Sequence, residues 1–349
     1  ITEALKYGEN NRLAFRITSP GGNRGWEDYA EVKWGKQNVL PTKDFSGIGG
    51  EVKLTGTEPV RITDVFIRNL QPAGQNHIEV QTTIESPQDK DLSAKYSLTI
   101  REKRTGKTYY RKTFPCVLQK GVNRLHRTLQ VPEAKPWDAA SPELYECVVE
   151  LDNKHGKDSF EQTFGFRVFE IKSENGKHNF YLNGQRIRFR SAVDWGIYAS
   201  NGLYPEADAA RRSIEAVKRV GHNALNFHRR LGDTPLFENA DSLGVYLYEE
   251  PGAFHSGGQG CNIEKNRFML GQMQERIRRM VVRDRNHPSL LIYSLANEDL
   301  EWTLGREMGM RIIHALDDTR LILNSSGGNC GKINKKGIHH IPPYGEKIQ

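Results

Sequence analysis

The fold is decided by a stretch that reads as strand, helix and strand in direct succession. Residues 223–250 are NALNFHRRLGDTPLFENADSLGVYLYEE. An apolar segment, Asn223–Phe227, precedes Asp233-Thr234-Pro235, which is a typical helix start, and Gly244 provides the helix stop before the next apolar segment. Between start and stop the apolar residues recur on one helix face: Leu236, Ala240 and Leu243. A helix that joins two apolar strands in this way predicts a βαβ unit and therefore a parallel sheet.

The same alternation of strand and helix continues on both sides of this unit. It predicts further strands at Ile187–Val193, Leu290–Leu295 and Leu321–Asn324, and helices at Phe268–Val282 and Thr303–Leu316. Five strands in this part of the chain predict the opening part of an eight-stranded TIM barrel, which takes about 250 residues when complete. We therefore expect a (β/α)8 barrel that is truncated after about strand five.

The first half of the chain has the period-two alternation of β-strands. Apolar and polar residues alternate in segments such as Val60–Ile67 and Tyr145–Leu151, with Gly, Pro, Asn and Asp between them. A break near Gly56–Pro59 divides this half into two units, and the second has room for the seven strands of an immunoglobulin-like β-sandwich. The first unit, with strands predicted at 12–17 and 51–54, is too short to close a sheet by itself.

The composition excludes several classes of protein. The chain has 349 residues, of which 27% are charged and 37% hydrophobic, and this is the balance of a folded globular protein. Its longest apolar runs are of strand length, so we expect no membrane span. The formal charge of +7 arises from 50 basic and 43 acidic residues that are interleaved, so we expect no nucleic-acid partner.

The sequence leaves the cellular compartment and the state of the cysteines open. The first residues form no recognisable leader, and periplasmic, extracellular and cytoplasmic locations of the parent protein are all compatible with the sequence. Four cysteines are too few and too dispersed for a disulfide framework, and they lack metal-site spacing. Cys116 and Cys147 both fall in the predicted sandwich, and the sequence does not decide whether they pair.

Polar residues follow the end of every predicted barrel strand. The active site of a TIM barrel lies where the strands end at their C-terminal edge. The residues at these ends are Asp194-Trp195, Asn226–His228, Glu249-Glu250, Asn297-Glu298 and Asn324-Ser325. We expect these side chains to meet at one rim, except for Glu249, which strand alternation turns away. A carboxyl group that follows an apolar strand, as that of Glu298 does, is suited to be a general acid because apolar walls raise its pKa.

The segment around the fourth strand resembles the signature of a known family. Arg283–Ser289, a short apolar strand and then Asn297-Glu298 are similar to the signature of glycoside hydrolase family 2, the β-galactosidase, β-glucuronidase and β-mannosidase group. Four other segments resemble the family in matching order along the chain: Phe45–Ile48, Ser141–Tyr145, Gly165–Arg167 and Ala240–Glu250. Arg283 and His287 precede the strand, so we expect them to tie the loop to the far end of the barrel.

The resemblance implies that the parent protein hydrolyses a terminal β-linked sugar with retention of configuration. It favours a β-galactosidase-like exo-β-glycosidase whose substrate is an oligosaccharide or another β-glycoside. Glu298 is similar to the family's general acid/base, and Asn297 to the residue that hydrogen-bonds the sugar 2-hydroxyl. We expect no cofactor and no metal. Because relatives often form dimers or tetramers, a homo-oligomer is compatible with it.

Five further residues are candidates for contact with the sugar. The resemblance puts Glu250, Asp194 and His228 near positions that line the sugar site in relatives. Trp195 and Trp302 follow strands one and four, where an aromatic face can stack on the apolar side of a pyranose ring.

The resemblance also implies a division into three domains. We expect residues 1–58 to be the C-terminal part of a jelly-roll sugar-binding domain, 59–170 the immunoglobulin-like sandwich, and 171–349 the incomplete catalytic barrel. Family members carry the nucleophile glutamate at the end of strand seven, which lies beyond the predicted strands of this chain. We therefore expect an internal fragment that lacks the start of the jelly roll and the end of the barrel, and that is inactive alone.

Three alternatives stay open at the level of the sequence. The protein could be a non-catalytic carbohydrate-binding or scaffolding protein, in which sandwich and partial barrel persist without turnover. It could instead have β-glucuronidase or β-mannosidase specificity, because an epimer is distinguished by a few hydrogen bonds. The third alternative is a metal-dependent barrel enzyme with Glu250, Glu298 and His228 as ligands.

Overall fold

The computed structural model describes residues 2–16, 32–34, 37–39, 48, 52–174, 176–196, 205, 207–252, 267–297 and 303–323. Within these ranges the chain forms an antiparallel β-sandwich, a three-stranded meander and a five-stranded parallel sheet. The elements follow the order that the sequence predicts, with strands first and alternating strands and helices afterwards.

The described part of the first unit contains little regular structure. A turn of 3-10 helix spans Thr2–Ala4, and a hairpin pairs β1 (Val32–Trp34) with β2 (Gln37–Val39). The strands predicted at 12–17 and 51–54 are wrong in their described parts, because residues 12–16 and 52–54 are exposed and form no ladder. A strand gains stability only from a paired neighbour, and alternation alone does not supply one. The assignment of residues 1–58 to a jelly roll stays a prediction.

The sandwich contains the seven strands that the sequence predicts. They are β3 (Arg61–Asn69), β4 (His77–Ser86), β5 (Leu92–Glu102), β6 (Thr108–Leu118), β7 (Gly121–Gln130), β8 (Tyr145–Asn153) and β9 (Gly156–Phe164). One sheet has the order β3-β4-β7 and the other β6-β5-β8-β9. Every second residue of β4 is buried, and these residues form the core together with inward residues of β5 and β8. Cys116 and Cys147 lie in this sandwich as free thiols, so they do not pair.

A three-stranded meander connects the sandwich to the parallel sheet. It consists of β10 (Phe169–Glu174), β11 (Lys177–Leu182) and β12 (Gln185–Ile187). The sequence predicts one strand from Ile187 to Val193, whereas the structure ends β12 at Ile187 and starts the next strand at Ser191. Phe189 lies between them and packs against Phe169, Phe180 and Tyr246. Its burial there separates the two ladders.

The parallel sheet has its strands in chain order, with helices in the connections. The strands are β13 (Ser191–Asp194), β14 (Ala224–Phe227), β15 (Tyr246–Glu249), β16 (Leu290–Ser294) and β17 (Leu321–Leu323). The helices are α1 (Ala207–Arg219), α2 (Thr234–Leu243), α3 (Arg267–Asp284) and α4 (Thr303–Leu316). This is the β/α series of a truncated barrel that the sequence predicts.

The two faces of the parallel sheet have different surroundings. Leu225 and Phe227 of β14 pack in one core with residues of the four helices. Alternation directs Asn226 to the opposite face, which we call the open face. The N-terminal half of the open face is covered by Trp137 and by residues of the meander. The C-terminal edge of the open face is therefore the part available for a ligand.

The signature segment before β16 joins the barrel to the sandwich. The Asn286 side chain accepts the backbone N–H of Ile67 at 2.9 Å and donates to the carbonyl oxygen of Val65 at 2.8 Å. Arg285 pairs with Asp64 on the same strand, β3. These contacts lie at the N-terminal end of the barrel strands, where conserved interactions in such barrels serve stability.

Gly244 ends α2 against a loop of the sandwich. Its φ is 74°, and a Cβ atom there would lie 2.3 Å from the carbonyl oxygen of Ala139. Gly221, after α1, has a similar φ of 80° with nothing within 4 Å of such a Cβ. The two glycines therefore share the need for a left-handed backbone and differ in the space around them.

We expect Gly244→Ala to destabilise the protein more than Gly221→Ala. The left-handed backbone alone costs about 1 kcal/mol at Gly221. At Gly244 the clash with a backbone carbonyl adds to this, for a total of about 2 to 4 kcal/mol. Urea unfolding of both variants measures the difference. Equal losses would show that the loop around Ala139 gives way without cost.

His287 and Asp241 form a buried pair between the signature segment and α2. Their Nδ1 and Oδ2 atoms are 2.6 Å apart, and the other Asp241 oxygen accepts the backbone N–H of Ser289 at 3.1 Å. Burial disfavours the charged imidazole, but the charge and hydrogen bond of Asp241 outweigh it and raise the pKa of His287 above its usual value. The pair holds the loop to the far end of the barrel.

The raised pKa of His287 predicts a pH dependence of stability. The contribution of the protonated imidazole is fully present below the unfolded-state pKa of about 6.5 and is lost as pH rises through the folded-state pKa. We expect His287→Asn to remove the loss of stability that accompanies rising pH. His155→Asn, in an exposed turn, should retain that loss. Urea unfolding between pH 6 and 9 tests this, and parallel curves for wild type and His287→Asn would contradict it.

Candidate active site at the C-terminal edge of the parallel sheet

The ends of β13 and β14 are joined by an ion-pair network. Asp194 Oδ1 accepts the backbone N–H of Gly196 at 2.5 Å and lies 3.1 Å from a guanidinium nitrogen of Arg230. Arg230 also pairs with Asp233, which precedes α2. A Cβ on Gly196, whose φ is 66°, would lie 2.3 Å from Arg230 Nε, so only glycine fits beside this guanidinium. The network fixes the loops after strands one and two relative to each other.

Trp195 and His228 form an aromatic pair at the rim. Their ring centroids are 4.4 Å apart at an interplanar angle of 70°, and the Arg229 guanidinium lies 5.3 Å from the Trp195 ring centroid. The backbone N–H of His228 donates to the carbonyl oxygen of Asp194 at 2.9 Å, which extends the parallel ladder by one bond. The structure thus brings together three predicted site residues: Asp194, Trp195 and His228.

Glu250 is buried and stabilises the turn after strand two. Its Oε2 accepts the backbone N–H of Arg229 at 3.0 Å. Arg229 has a φ of 58°, a conformation that is uncommon for a residue with a side chain. The carboxylate of Glu250 therefore helps to hold His228 and Arg229 at the rim.

Glu249 faces the helices, as strand alternation predicts. It is fully buried, and its Oε1 accepts the Gly232 N–H at 2.8 Å and lies 3.1 Å from a nitrogen of Arg283. Burial, followed by the nearby Asp284 carboxylate, raises the pKa of Glu249 well above its usual range, against the opposing charge of Arg283. Glu249 therefore belongs to the packing beneath the rim.

Asn297 lies three residues beyond the end of β16 and is buried, with 3% exposure. The preceding Leu295 and Ala296 are also buried, and the Leu295 N–H donates to the carbonyl oxygen of Leu323 at 2.9 Å. The chain segment that leads to Asn297 is therefore apolar and is hydrogen-bonded to strand five. Glu298 and Trp302, like Asn324 and Ser325, lie outside the described residues. The roles of all seven predicted site residues stay predictions.

Asn226 is a polar residue of this region that the sequence analysis places at a strand end without selecting it for the site. It is 9% exposed, and its Oδ1 has no hydrogen-bond partner in the part of the chain that the structure describes. The alternation of Leu225, Asn226 and Phe227 is the sequence signal for its orientation on the open face. That its Oδ1 lacks a partner among the described residues can be recognised only from the tertiary structure.

Within the described residues no cluster of three or more His, Cys, Asp or Glu side chains has the arrangement of a metal site. None of the described helices combines the length and hydropathy that crossing a bilayer requires.

The fold and this rim define a class of protein: a parallel β/α barrel preceded by a β-sandwich, with polar residues at the C-terminal edge. Two family sequence models identify the family within that class. The model described as glycosyl hydrolases family 2 matches residues 60–167, and that for the TIM barrel domain of glycosyl hydrolases family 2 matches residues 172–339. The chain belongs to glycosyl hydrolase family 2.

The chain is similar to several curated β-galactosidases. It is 26% identical over 310 residues to that of Pectobacterium atrosepticum, which corresponds to 85% of this chain and 28% of the relative. It is 26% identical over 338 residues to that of Enterobacter cloacae, with 94% of this chain and 31% of the relative covered. The chain thus spans less than a third of the length of these curated relatives.

Solved structures support the same fold. A family 2 glycosyl hydrolase from Bacteroides cellulosilyticus superposes with a TM-score of 0.66 at 24% identity, covering 77% of this chain and 35% of that one. A Bacteroides uniformis β-glucuronidase has a TM-score of 0.68 at 18% identity, with 80% of this chain and 36% of that one covered. At these identities the likeness bears on the fold and not on the substrate.

Proposed function

We propose that the full-length gene product is a retaining exo-β-glycosidase that acts on terminal β-linked sugars, with β-galactosides as the favoured substrates. The observation that carries the proposal is the match of family 2 models to both the sandwich and the barrel. The burial of Asn297 at the end of an apolar strand, directly before Glu298, supports the acid/base role of Glu298. A general acid at this position protonates the departing glycosidic oxygen and later deprotonates water.

The residues at the rim have separate roles in this proposal. Asn297 donates a hydrogen bond to a sugar hydroxyl, and Trp195 with His228 offers an aromatic face for the apolar side of a pyranose. Glu250 acts through Arg229 and so positions His228, and Asp194 acts through Arg230. In this proposal the last two carboxylates are positioning residues, because Glu250 accepts the backbone N–H of Arg229 and Asp194 pairs with the Arg230 guanidinium.

The charge distribution at the described rim supports a neutral sugar over a uronate. The carboxylate of a uronic acid is best recognised by a guanidinium that can offer it two hydrogen bonds. Arg230 is instead held between Asp194 and Asp233, so its charge is already balanced, and the guanidinium of Arg229 lies against the Trp195 ring, 5.3 Å from its centroid. The curated relatives named β-galactosidase support the same substrate class.

A substrate panel tests the proposal. The full-length gene product is assayed with p-nitrophenyl β-galactoside, β-glucoside, β-mannoside and β-glucuronide, and NMR follows the anomer that is released first. We expect the highest kcat/KM with the β-galactoside and release of the β-anomer. Release of the α-anomer would exclude retention, and a preference for the glucuronide would exclude the neutral-sugar assignment. Binding of sugar without hydrolysis of any glycoside would indicate a carbohydrate-binding protein.

A further inference from the structure

Asn226 lies on the floor of the candidate sugar site. In the parallel ladder it stands between Val193 on β13 and Tyr248 on β15. The next open-face position along β14 toward the N-terminus is Ala224, which the meander covers. Toward the C-terminus the chain reaches His228 at the rim. Asn226 is thus one layer below the aromatic pair of the rim and one layer above the packed end of the barrel.

The amide oxygen of Asn226 is buried without a hydrogen-bond donor in the part of the chain that the structure describes. Such an acceptor destabilises a fold, so native proteins give nearly all buried acceptors a partner. The donor for this acceptor therefore comes from outside the described residues, from another part of the chain, from ordered water or from a ligand.

The surroundings of Asn226 leave space for that donor on one side. Val193, its neighbour in the ladder, is 53% exposed, because β13 is the edge strand of the described sheet. The described residues therefore leave the open face uncovered on the β13 side of Asn226. The helix face offers no such volume, because Leu225 and Phe227 fill it.

We infer that Asn226 accepts a hydrogen bond from a hydroxyl of the sugar and is a specificity-determining residue. The inference rests on the proposed function and names one contact of the same site. A neutral amide oxygen attracts a hydroxyl donor and repels a carboxylate, which matches a neutral pyranoside. A site built to bond a substrate hydroxyl discriminates strongly against the analogue that lacks it, since the buried acceptor is then left unpaired.

The experiment is a thermodynamic cycle that combines removal of the Asn226 amide from the protein with removal of single hydroxyls from the substrate. Wild type and Asn226→Leu, both as the full-length gene product, are assayed with the aryl β-galactoside and its 2-, 3-, 4- and 6-deoxy analogues. We expect Asn226→Leu to lower kcat/KM for the parent substrate by roughly 10- to 100-fold. For one deoxy analogue the variant and wild type should have similar kcat/KM, because the partner hydroxyl is already absent. Asn239→Leu on helix α2, which packs against the other face of the sheet, is the matched control and should leave kcat/KM unchanged.

A stability measurement separates recognition from folding. Leucine has the same number and branching of side-chain heavy atoms as asparagine and removes the unpaired acceptor, so the melting temperature of Asn226→Leu should equal or exceed that of wild type if the open face accommodates its larger methyl groups. A marked fall in melting temperature would show a structural partner for the amide and overturn the inference. Equal losses with all deoxy analogues would also overturn it. If wild type hydrolyses no glycoside, the proposed function itself fails, which is a distinct result.

Discussion

Glu298→Gln is expected to reduce the hydrolysis of a β-galactoside with a poor leaving group by about 1,000-fold, because proton transfer by a positioned side chain contributes about 10²- to 10⁴-fold. Glutamine retains the shape and hydrogen-bonding capacity of the side chain but cannot donate the proton. The measurement is kcat/KM of the full-length gene product with lactose, where the leaving alkoxide needs protonation.

Two comparisons make this prediction specific to an acid/base residue. With an activated aryl leaving group the first step needs little protonation, so the loss in that step should be smaller, and added azide should restore turnover by replacing water in the second step. Asp299→Asn, the adjacent carboxylate in the sequence, is the matched control and should retain most activity. Full activity of Glu298→Gln on lactose would remove the acid/base assignment.

Arg167→Met is expected to lower the free energy of unfolding by about 3 to 5 kcal/mol, because it removes three charge-assisted hydrogen bonds to buried carbonyl groups, although the carbonyl of Leu290 keeps a second donor in Arg320. The Arg167 guanidinium donates to the carbonyl oxygens of Pro288, Thr319 and Leu290 at 3.1 to 3.2 Å. Burial, followed by the charge of Arg320, lowers the pKa of Arg167 to about 9, so the group is still charged at neutral pH. It therefore joins the exit of the sandwich to two barrel strands through charged hydrogen bonds.

The control for this variant is Arg311→Met on the exposed face of α4, which should change stability by less than about 0.5 kcal/mol. Urea unfolding followed by circular dichroism gives both values. If Arg167→Met unfolds at the midpoint of wild type, relief of repulsion with Arg320 compensates for the lost hydrogen bonds and the junction does not depend on this residue. A second transition that appears only in Arg167→Met would show that sandwich and barrel unfold separately.

The position of Arg167 gives the sandwich a structural role toward the candidate site. The same β16 strand that receives Arg167 at Leu290 leads, at its other end, to Asn297. Asn286 fixes the start of this strand on β3, and His287 fixes it on α2. Strand four is thus anchored at its N-terminal end by three separate contacts. A precise position of the residues at its C-terminal end requires such an anchor.

Local pattern predicted the elements of this protein well where the pattern is long or carries a stop signal. α4 spans the predicted Thr303–Leu316, and α2 begins and ends beside the predicted Asp233 and Gly244. The pattern was misleading at Ile187–Val193, where Phe189 leaves the ladder for an aromatic cluster. It was also misleading at residues 12–16, where alternation has no pairing strand in the described structure.

The sequence by itself determined the succession of sandwich and β/α barrel, the strand ends that carry polar residues, and the family. These properties depend on periodicity and on short signatures, which are local in the chain. Only the tertiary structure decided that Glu250 bonds the backbone of Arg229, that Asn286 bonds a strand 219 residues away, and that the amide oxygen of Asn226 has no hydrogen-bond partner among the described residues. Whether a polar atom is satisfied depends on groups that folding brings near from distant positions, and no local pattern contains that information.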